Sequence, residues 1–352
     1  MALPVSISIA PSLIQPLVLT LLVMQMVVLV LLMRVSKARS VKEPYLNTTA
    51  VSLMELMKLV LCCCQMCYAS GSVGGGMKSF AASLSNPTEV LKLSVPSVLY
   101  MIQNNLLYAA LGNLPAATYQ VVYQVKILTT AMFSVVLLKK SLSSAQWRSL
   151  AVLLAGCALA QSSNATDSHS SEGNVTLGLL CVLSAACTSG FSGVYFEMML
   201  KNSPKVGLWE RNVQMGVPSV LFAFLSVAIK DGGKVWEGGF FQGYSSLVFW
   251  VITVQAGGGL IVALVVKYAD NVVKTFTASL AVVFGSVMSM FVSGFRPNGR
   301  FVVGAGCVVS ACVMYARAPK GRQKDVLPTT HKVGIEEGEG ERLVKVRKQV
   351  VG

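Results

Sequence analysis

The sequence predicts an all-α polytopic membrane protein with ten transmembrane helices. The first observation is composition: of 352 residues, 54% are hydrophobic and only 12% are charged, and the mean hydropathy is +0.64. Soluble globular domains carry about 25% charged residues. The second observation is that apolar stretches of about 20 residues, long enough to cross a hydrocarbon layer of about 30 Å, recur along almost the whole chain.

Ten such stretches follow one another and are separated by short loops. The predicted spans cover residues 13–33, 46–69, 91–111, 115–138, 145–161, 176–198, 208–229, 244–267, 271–293 and 299–316. Little of the chain lies outside them, so we expect no soluble catalytic domain and expect the protein to act within the bilayer. The first span is longer than a typical signal-peptide core and no obvious cleavage site follows it, which predicts that it is retained.

Two features that could indicate other functions are explained by the membrane. The formal net charge of +14 comes from basic residues scattered over loop ends and the C-terminal tail. They form no stripe with aromatic side chains, so we predict contact with the bilayer surface and no nucleic acid partner. Four of the nine cysteines are clustered in an apolar span without a nearby histidine, so we predict neither a metal site nor a cofactor. These four are Cys62, Cys63, Cys64 and Cys67.

The predicted organisation has five parts. A cytosolic segment at 1–12 precedes a first five-helix half at 13–161. A lumenal loop at 162–175 leads to a second five-helix half at 176–316. The polar tail at 317–352 has a composition that cannot bury a core, so we expect it to be disordered and cytosolic.

Charge and glycosylation motifs predict the orientation. The excess of Lys and Arg after the last span places the tail in the cytosol, and an even number of spans places the N-terminus there too. The loop 162–175 contains no Lys or Arg and has two N-x-S/T sequons, at Asn164 and Asn174, as a lumenal loop would. The loop after the first span is an exception, because it would be lumenal and yet carries Arg34, Lys37, Arg39 and Lys42.

A weak internal repeat relates the two halves of the chain. Without a gap, Lys126 aligns with Lys274, Thr129 with Thr277, and Gly156 with Gly304. Transporters commonly consist of duplicated halves whose substrate site lies where the halves meet. Five spans followed by five spans fit that plan.

Lys126 is the main candidate for a functional residue. A charge well inside a membrane span is costly, so such a residue generally faces a cavity or a partner, and no carboxylate lies in its own span. Tyr119, Tyr123, Lys126 and Thr130 recur at i, i+4, i+7 and i+11, which is one stripe of a helix. The preceding span repeats this pattern with Tyr100, Asn104 and Tyr108, and Asn105 lies beside them.

These residue types suit a nucleotide-linked solute. Asparagine amides can read the edge of a base, and tyrosine rings offer it a stacking surface. Lysine is a point charge suited to phosphate, so Lys126 and Lys274 could approach a diphosphate from opposite halves. Glu55 and Lys58, at i and i+3, leave two alternatives open, a structural ion pair or a gate. The run Gly257–Gly259 lacks the context of a phosphate-binding loop and favours close helix packing or a bend.

The sequence resembles the nucleotide-sugar transporters of the Golgi and endoplasmic reticulum, within the drug/metabolite transporter superfamily. The similarity covers most of residues 13–316, and the QNN and KYADN motifs carry it most specifically. The matching segments are VPSVLYMIQNNLLYAALGNLPAATYQVVYQVKILTTAMFSVVLLKKSLSSAQWRSLAVLLAGCALAQ, GVYFEMMLKNSPKVGLWERNVQMG and VVKYADNVVKTFTASLAVVF. They are similar to the branch that carries UDP-galactose, UDP-N-acetylglucosamine and CMP-sialic acid.

This resemblance implies ten helices in two inverted five-helix repeats, cytosolic termini, and exchange of a cytosolic nucleotide sugar for a lumenal nucleoside monophosphate. By motif, the nucleotide pocket would contain Tyr100, Asn104, Asn105, Tyr119, Tyr123 and Lys126. Asn212 would approach the base and Lys274 the phosphates or sugar.

Several alternatives stay open at this point. UDP-galactose or UDP-N-acetylglucosamine is favoured by general likeness, with CMP-sialic acid as the alternative. A membrane-embedded transferase would need an acid/base or metal-binding cluster, whereas the spans contain few carboxylates and no histidine. A receptor would bind without transporting. Golgi or endoplasmic reticulum location and assembly into a homo-oligomer are not decided by the sequence.

Overall fold

Helices form almost all of the ordered secondary structure. A computed structural model of the chain describes residues 11–38, 45–162, 174–202, 206–293 and 298–319. Within these ranges the helices are α1 (Pro11–Ala38), α2 (Asn47–Ser70), α3 (Val73–Leu84), α4 (Pro87–Asn113), α5 (Ala116–Tyr123), α6 (Lys126–Leu138), α7 (Ser144–Ser162), α8 (Val175–Lys201), α9 (Leu208–Gly238), α10 (Ser246–Tyr268), α11 (Asn271–Ser293) and α12 (Gly299–Arg317). Residues 1–10, the sequon at Asn164 and almost all of the tail lie outside the described residues.

Eight helical stretches are long and apolar enough to cross a membrane. They are Leu13–Met33, Asn47–Ser70, Thr118–Leu138, Val175–Lys201, Leu208–Gly238, Ser246–Tyr268, Asn271–Met288 and Gly299–Arg317. The all-α polytopic class is therefore confirmed. The spans predicted at 91–111 and 145–161 form the helices α4 and α7, which are outside this set of eight.

The span predicted at 115–138 is not one continuous helix. It is divided into α5 and α6 at Gln124 and Val125, directly before Lys126. At the division the N–H groups of Gln124 and Val125 donate three residues back, to Val121 and Val122, at 3.1 and 3.0 Å. This short tighter turn satisfies the backbone inside an apolar environment, where an unpaired polar group is costly. Periodicity alone did not predict it, because apolar and polar residues keep the same stripe on both sides of the break.

Helix packing follows a regular pattern across the bundle. The main packed pairs are α7 with α12, α4 with α8, α2 with α9, α1 with α10, α6 with α8, α1 with α11, α2 with α3, α4 with α9, and α2 with α10. All but α2 with α3 join the two halves. Each half of the chain therefore packs mostly against the other half. A core cluster that includes Ile127, Leu150, Leu153, Phe276 and Val308 joins α6, α7, α11 and α12.

Glycines permit the closest of these helix contacts. A Cβ atom on Gly156 of α7 would lie 2.9 Å from the carbonyl oxygen of Gly304 in α12, and one on Gly304 would lie 2.7 Å from that of Gly156. These distances are too short for a methyl group, so only glycine allows the two backbones to touch. The two glycines that align in the sequence repeat therefore meet directly in space.

The gapless alignment of the repeat is not the register of the helices. Helices α5 and α11 begin at Ala116 and Asn271, and helices α7 and α12 begin at Ser144 and Gly299, so both pairs of starts are 155 residues apart. Lys126 and Lys274 are 148 residues apart. A difference of about two helical turns exceeds the uncertainty of helix ends. The two lysines are thus not at matching positions of their helices.

Candidate functional site

A polar cavity lies between α1, α6, α7, α8, α11 and α12. We call it the lysine cavity, because Lys126 and Lys274 both line it. Its volume is about 260 Å³, slightly below the range of about 300–1,000 Å³ typical of small-molecule sites. Other polar side chains in its wall are Gln124, Thr130, Gln161, Ser189, Asn271 and Ser279. The two lysines that the sequence singled out are therefore brought together.

Lys126 is the first residue of α6, so the N-terminal end of this half-helix borders the cavity. The Lys126 Nζ atom lies 4.5 Å from the centroid of the Tyr123 ring. Within the described residues neither Lys126 nor Lys274 forms an ion pair. The cavity thus has a concentrated positive charge.

A group of tyrosines, which we call the tyrosine cluster (Tyr100, Tyr119 and Tyr123), adjoins the lysine cavity. The rings of Tyr119 and Tyr123 stack at a centroid distance of 6.0 Å with an interplanar angle of 11°. Tyr100 interacts with Ser192 and Tyr123 with Ser189, both on α8. None of the three tyrosines is part of the cavity wall, but Ser189 is, so the cluster borders the cavity through Tyr123.

Gln103 is a residue of this region that sequence reasoning missed. It is 8% exposed, and its Nε2 atom donates a hydrogen bond of 3.1 Å to the Tyr123 hydroxyl, which links α4 to α5. The signal was present, because Gln103 lies three residues after Tyr100 and so shares its helix face. The predicted stripe instead followed the i+4 spacing to Asn104.

The predicted asparagines of α4 are not at the cavity. Asn104 and Asn105 are exposed, and the Asn105 Nδ2 atom donates 2.9 Å back to the Met101 carbonyl. Tyr108 is 56% exposed, and the Lys230 Nζ atom lies 5.0 Å from its ring centroid. None of these three side chains lines the cavity.

The RNVQ segment of α9 forms a structural link. The Asn212 Nδ2 atom donates 2.9 Å to the Leu208 carbonyl of its own helix, and Asn212 does not line the cavity. Arg211 is 1% exposed and its Nη1 atom donates to Glu89 Oε2 at 2.7 Å and to Gln214 Oε1 at 3.0 Å. Glu89 precedes the apolar part of α4, and hydrogen bonds from Arg211 and then Lys92 lower the pKa of its carboxyl group. The segment therefore connects α9 to the start of α4.

Glu55 and Lys58 form an ion pair of 2.6 Å on α2. A Cβ atom on Gly259 of α10 would lie 2.7 Å from Lys58 Cδ, so the glycine provides room for the lysine stem. Gly258 does the same for Gln25 of α1, whose Nε2 atom donates 3.1 Å to the Val254 carbonyl. The glycine run thus permits close packing of α10 with α1 and α2, one of the two interpretations of the sequence.

A buried carboxylate organises one end of the bundle. Glu197 of α8 is 0% exposed. Its Oε1 atom accepts from Lys140 and from Lys201, both at 2.7 Å, and its Oε2 atom accepts from the backbone N–H of Asn271 at 2.9 Å. Lys140 also lies 3.3 Å from Asp270. We call Glu197, Lys140, Lys201 and Asp270 the Glu197 cluster.

Local backbone features position the members of this cluster. α6 ends at Leu138, and Lys139 adopts a left-handed conformation, with φ of 51°. The following N–H, of Lys140, bonds to the Ser134 carbonyl at 3.3 Å, which turns the chain toward α8. Asp270 caps α11 by accepting from the Val273 N–H at 2.7 Å. The KYADN motif therefore spans the junction between two helices: α10 ends at Tyr268, and Asp270 caps the start of α11.

Together the fold and the cavity define a polytopic membrane protein with an internal, positively charged chamber, an arrangement characteristic of solute carriers. A family model described as nucleotide-sugar transporter matches residues 11–316. The chain belongs to the nucleotide-sugar transporter family.

Relatives of known name support this assignment. The chain is 44% identical over 307 residues to a UDP-N-acetylglucosamine transporter of Homo sapiens, covering 85% of this chain and 94% of that protein. It is 41% identical to a UDP-galactose translocator of Canis lupus familiaris, covering 82% and 73%. It is 36% identical to a UDP-galactose/UDP-N-acetylglucosamine transporter of Caenorhabditis elegans, covering 85% and 83%.

A solved structure described only as the crystal structure of a protein shares the fold. Its TM-score is 0.59 at 15% sequence identity, and the match covers 84% of this chain and 95% of that one.

Proposed function

We propose that this chain moves UDP-N-acetylglucosamine, UDP-galactose or both from the cytosol into the lumen of the Golgi or endoplasmic reticulum, in exchange for a nucleoside monophosphate. The observation that carries the proposal is the pair of lysines in one cavity, neither with an ion-pair partner in the described part of the chain. Two ammonium groups in a low-dielectric cavity repel each other, and a diphosphate offsets both charges. The names of the relatives support the choice of UDP-sugars.

The proposed substrate-binding site lies where the lysine cavity borders the tyrosine cluster. Lys126 and Lys274 bind the phosphates, as two cations in the wall of one cavity. Tyr119 and Tyr123 provide a stacking surface for the base, and Tyr100, which interacts with Ser192 of α8, belongs to the same cluster. Asn104, Asn105, Tyr108 and Asn212 stay predictions as ligand contacts, because they lie away from the cavity in this arrangement of the helices.

The packing pattern supports ten spans in two inverted repeats. If α4 and α7 cross the membrane as well, and α5 with α6 counts as one span, each half contributes five. In span order, α1, α2, α4 and α6 of the first half then correspond to α8, α9, α10 and α11 of the second. Each packed pair between the halves has an equivalent pair that also packs. The pair α4 and α8 corresponds to α10 and α1, the pair α6 and α8 to α11 and α1, and the pair α4 and α9 to α10 and α2. Because five is odd, the second half runs opposite to the first. Ten spans place both termini on the same side, and the excess of Lys and Arg after the last span assigns that side to the cytosol.

Exchange follows from linkage between binding and reorientation. When the cavity is empty, the charges of Lys126 and Lys274 oppose closure of the bundle around them. A bound phosphate neutralises this repulsion, so the loaded carrier reorients faster than the empty one. Uptake of one nucleotide then requires the exit of another.

The test is uptake into proteoliposomes preloaded with UMP, CMP or buffer, with a panel of radiolabelled UDP-, CMP- and GDP-sugars. We expect UDP-sugar uptake only into UMP-loaded vesicles and its loss in Lys126→Ala. Lys234→Ala is the matched control, because this lysine is exposed, lies near the C-terminal end of α9 and does not line the cavity.

Three outcomes would contradict the proposal. Uptake that does not depend on internal nucleotide would exclude exchange, and uptake only of a CMP-sugar into CMP-loaded vesicles would change the substrate. Stabilisation of the protein by UDP-sugar without any uptake would indicate a receptor.

A further inference from the structure

One polar atom in the wall of the lysine cavity lacks a partner within the described residues. Asn271, the first residue of α11, is 2% exposed and lines the cavity. Its Oδ1 atom is buried and accepts no hydrogen bond. Buried side-chain oxygens are nearly always paired in folded proteins, with protein or with water, so an oxygen that no protein group satisfies in a cavity wall is available to a donor that enters the cavity.

The surroundings of Asn271 hold its side chain in place. The backbone N–H of Asn271 donates to Glu197 Oε2 at 2.9 Å, which fixes the start of α11 against α8. On α8, a Cβ atom at Gly193 would lie 2.5 Å from Asn271 Nδ2, so glycine is needed for the amide to fit. Gly193 and Glu197, one turn apart on α8, therefore fix the position of Asn271.

The position of Asn271 along the cavity indicates which part of a ligand it meets. Tyr119 and Tyr123 lie on α5, before the N-terminus of α6. Asn271 lies toward the opposite end of α6, because Glu197, which accepts from its N–H, also accepts from Lys140 just beyond α6. The order along the site is thus the tyrosines, the two lysines, and Asn271.

We propose that Asn271 Oδ1 accepts a hydrogen bond from a hydroxyl group of the sugar. This inference rests on the proposed function. With the base on the tyrosines and the diphosphate between the lysines, the sugar is the part that reaches Asn271. A phosphate oxygen is ionised at neutral pH and cannot donate to an amide oxygen, whereas each sugar hydroxyl can. Asn271 therefore determines affinity for the sugar and leaves affinity for the nucleotide unchanged.

The experiment compares two ligands on one variant. Vesicles containing Asn271→Ala are assayed for exchange of UMP against UMP, and for inhibition of that exchange by UDP-N-acetylglucosamine and UDP-galactose. We expect the half-saturating UMP concentration to stay within about twofold of wild type and that of the preferred UDP-sugar to rise about fivefold to tenfold, as for one lost hydrogen bond. Asn202→Ala is the control, because this exposed asparagine lies at the end of α8.

Two further measurements keep the inference testable if Asn271→Ala does not fold. Gly193→Ala crowds the Asn271 amide and should weaken UDP-sugar selectively. On wild-type protein, sugar-nucleotide analogues that each lack one sugar hydroxyl are compared, and one of them should bind about fivefold to tenfold more weakly than the parent UDP-sugar.

The outcomes separate this inference from the proposed function. If wild type shows no exchange of UMP for UDP-sugar, the proposed function fails. If wild type exchanges them but Asn271→Ala weakens UMP and UDP-sugar equally, or neither, the assignment of Asn271 to the sugar is wrong. The assignment is also wrong if every single-deoxy analogue binds wild type as tightly as the parent sugar nucleotide.

Discussion

The two ends of the helix bundle are held together by different chemistry. At one end, the charged end, the Glu197 cluster and the Arg211–Glu89 pair connect α4, α6, α8, α9 and the start of α11. At the other, the hydroxyl end, single hydrogen bonds connect neighbouring elements: Thr48 donates to Asp231 at 2.7 Å, and the hydroxyls of Thr49 and Tyr244 lie 3.0 Å apart.

This difference bears on the proposed exchange, in which each end of the carrier opens in turn. Separating buried ion pairs exposes unpaired charge in a medium of low dielectric constant, whereas a hydroxyl group readily exchanges a protein partner for water. The charged end is therefore the more strongly closed one in this arrangement. In the proposed orientation the charged end faces the cytosol. Opening the carrier toward the cytosol then separates these ion pairs, and binding of an anionic substrate offsets that cost in free energy.

The largest expected effect is at the centre of the charged end. Glu197→Gln removes the carboxylate that neutralises Lys140 and Lys201, and should lower the free energy of unfolding by about 2–3 kcal/mol, because both lysines are partly exposed to solvent. Thermal unfolding in detergent micelles measures this. Glu237→Gln is the matched control, because Glu237 is an exposed residue near the end of α9. Equal melting temperatures for the two variants would show that the Glu197 cluster does not stabilise the closed end.

A smaller, pH-dependent effect is expected at Arg211. Arg211→Met should cost about 2 kcal/mol at neutral pH through the lost charged hydrogen bond. Because Arg211 lowers the pKa of Glu89 from its ordinary value of 4.5, this stabilisation is complete above pH 4.5 and disappears as the pH falls through the lowered pKa.

Unfolding curves of both proteins between pH 7 and about pH 3 test the sign of this effect. The difference in free energy of unfolding between wild type and Arg211→Met should be constant near pH 7 and should become smaller as the pH falls toward 3. A gap that widens in acid would contradict the assignment.

The hydroxyl end should respond less. Tyr244→Phe keeps the ring, which packs against Tyr45 and Phe241, and removes only the hydroxyl contact with Thr49. We expect a loss of about 1 kcal/mol in the same unfolding assay. Tyr68→Phe, at an exposed tyrosine of α2, provides the control. A loss as large as that of Glu197→Gln would remove the contrast between the two ends.

The smallest effect is expected for an exposed ion pair at the hydroxyl end. Lys234 lies 3.2 Å from Asp231 on the same helix and is largely exposed. Lys234→Met should change stability by less than about 0.5 kcal/mol, because solvent screens the pair. A larger loss, measured by the same thermal unfolding, would mean that charge near this end is less hydrated than its exposure indicates.

The helical class and the choice of Lys126 follow from local patterns in the sequence, whereas Lys274 was chosen through the repeat alignment and the family resemblance. Apolar stretches and a charge within one of them can be read directly from the residues around Lys126. Glu197 could not be assigned in this way, because Lys140 and Asn271 are 57 and 74 residues distant and meet it only through packing. Gln103 was missed for a related reason, since two helical spacings from Tyr100 were available and only the position of Tyr123 shows that Gln103 contacts the tyrosine cluster.

The contact between Gly156 and Gly304 sets a limit on how the two halves can move. Where backbone meets backbone, there are no side chains that could change rotamer and let one helix slide past the other. Rotation about the contact point keeps the two backbones in touch, whereas translation along either helix brings larger residues into collision. Helices α7 and α12 therefore act as a fixed pivot, and motion of the carrier must increase with distance from this crossing.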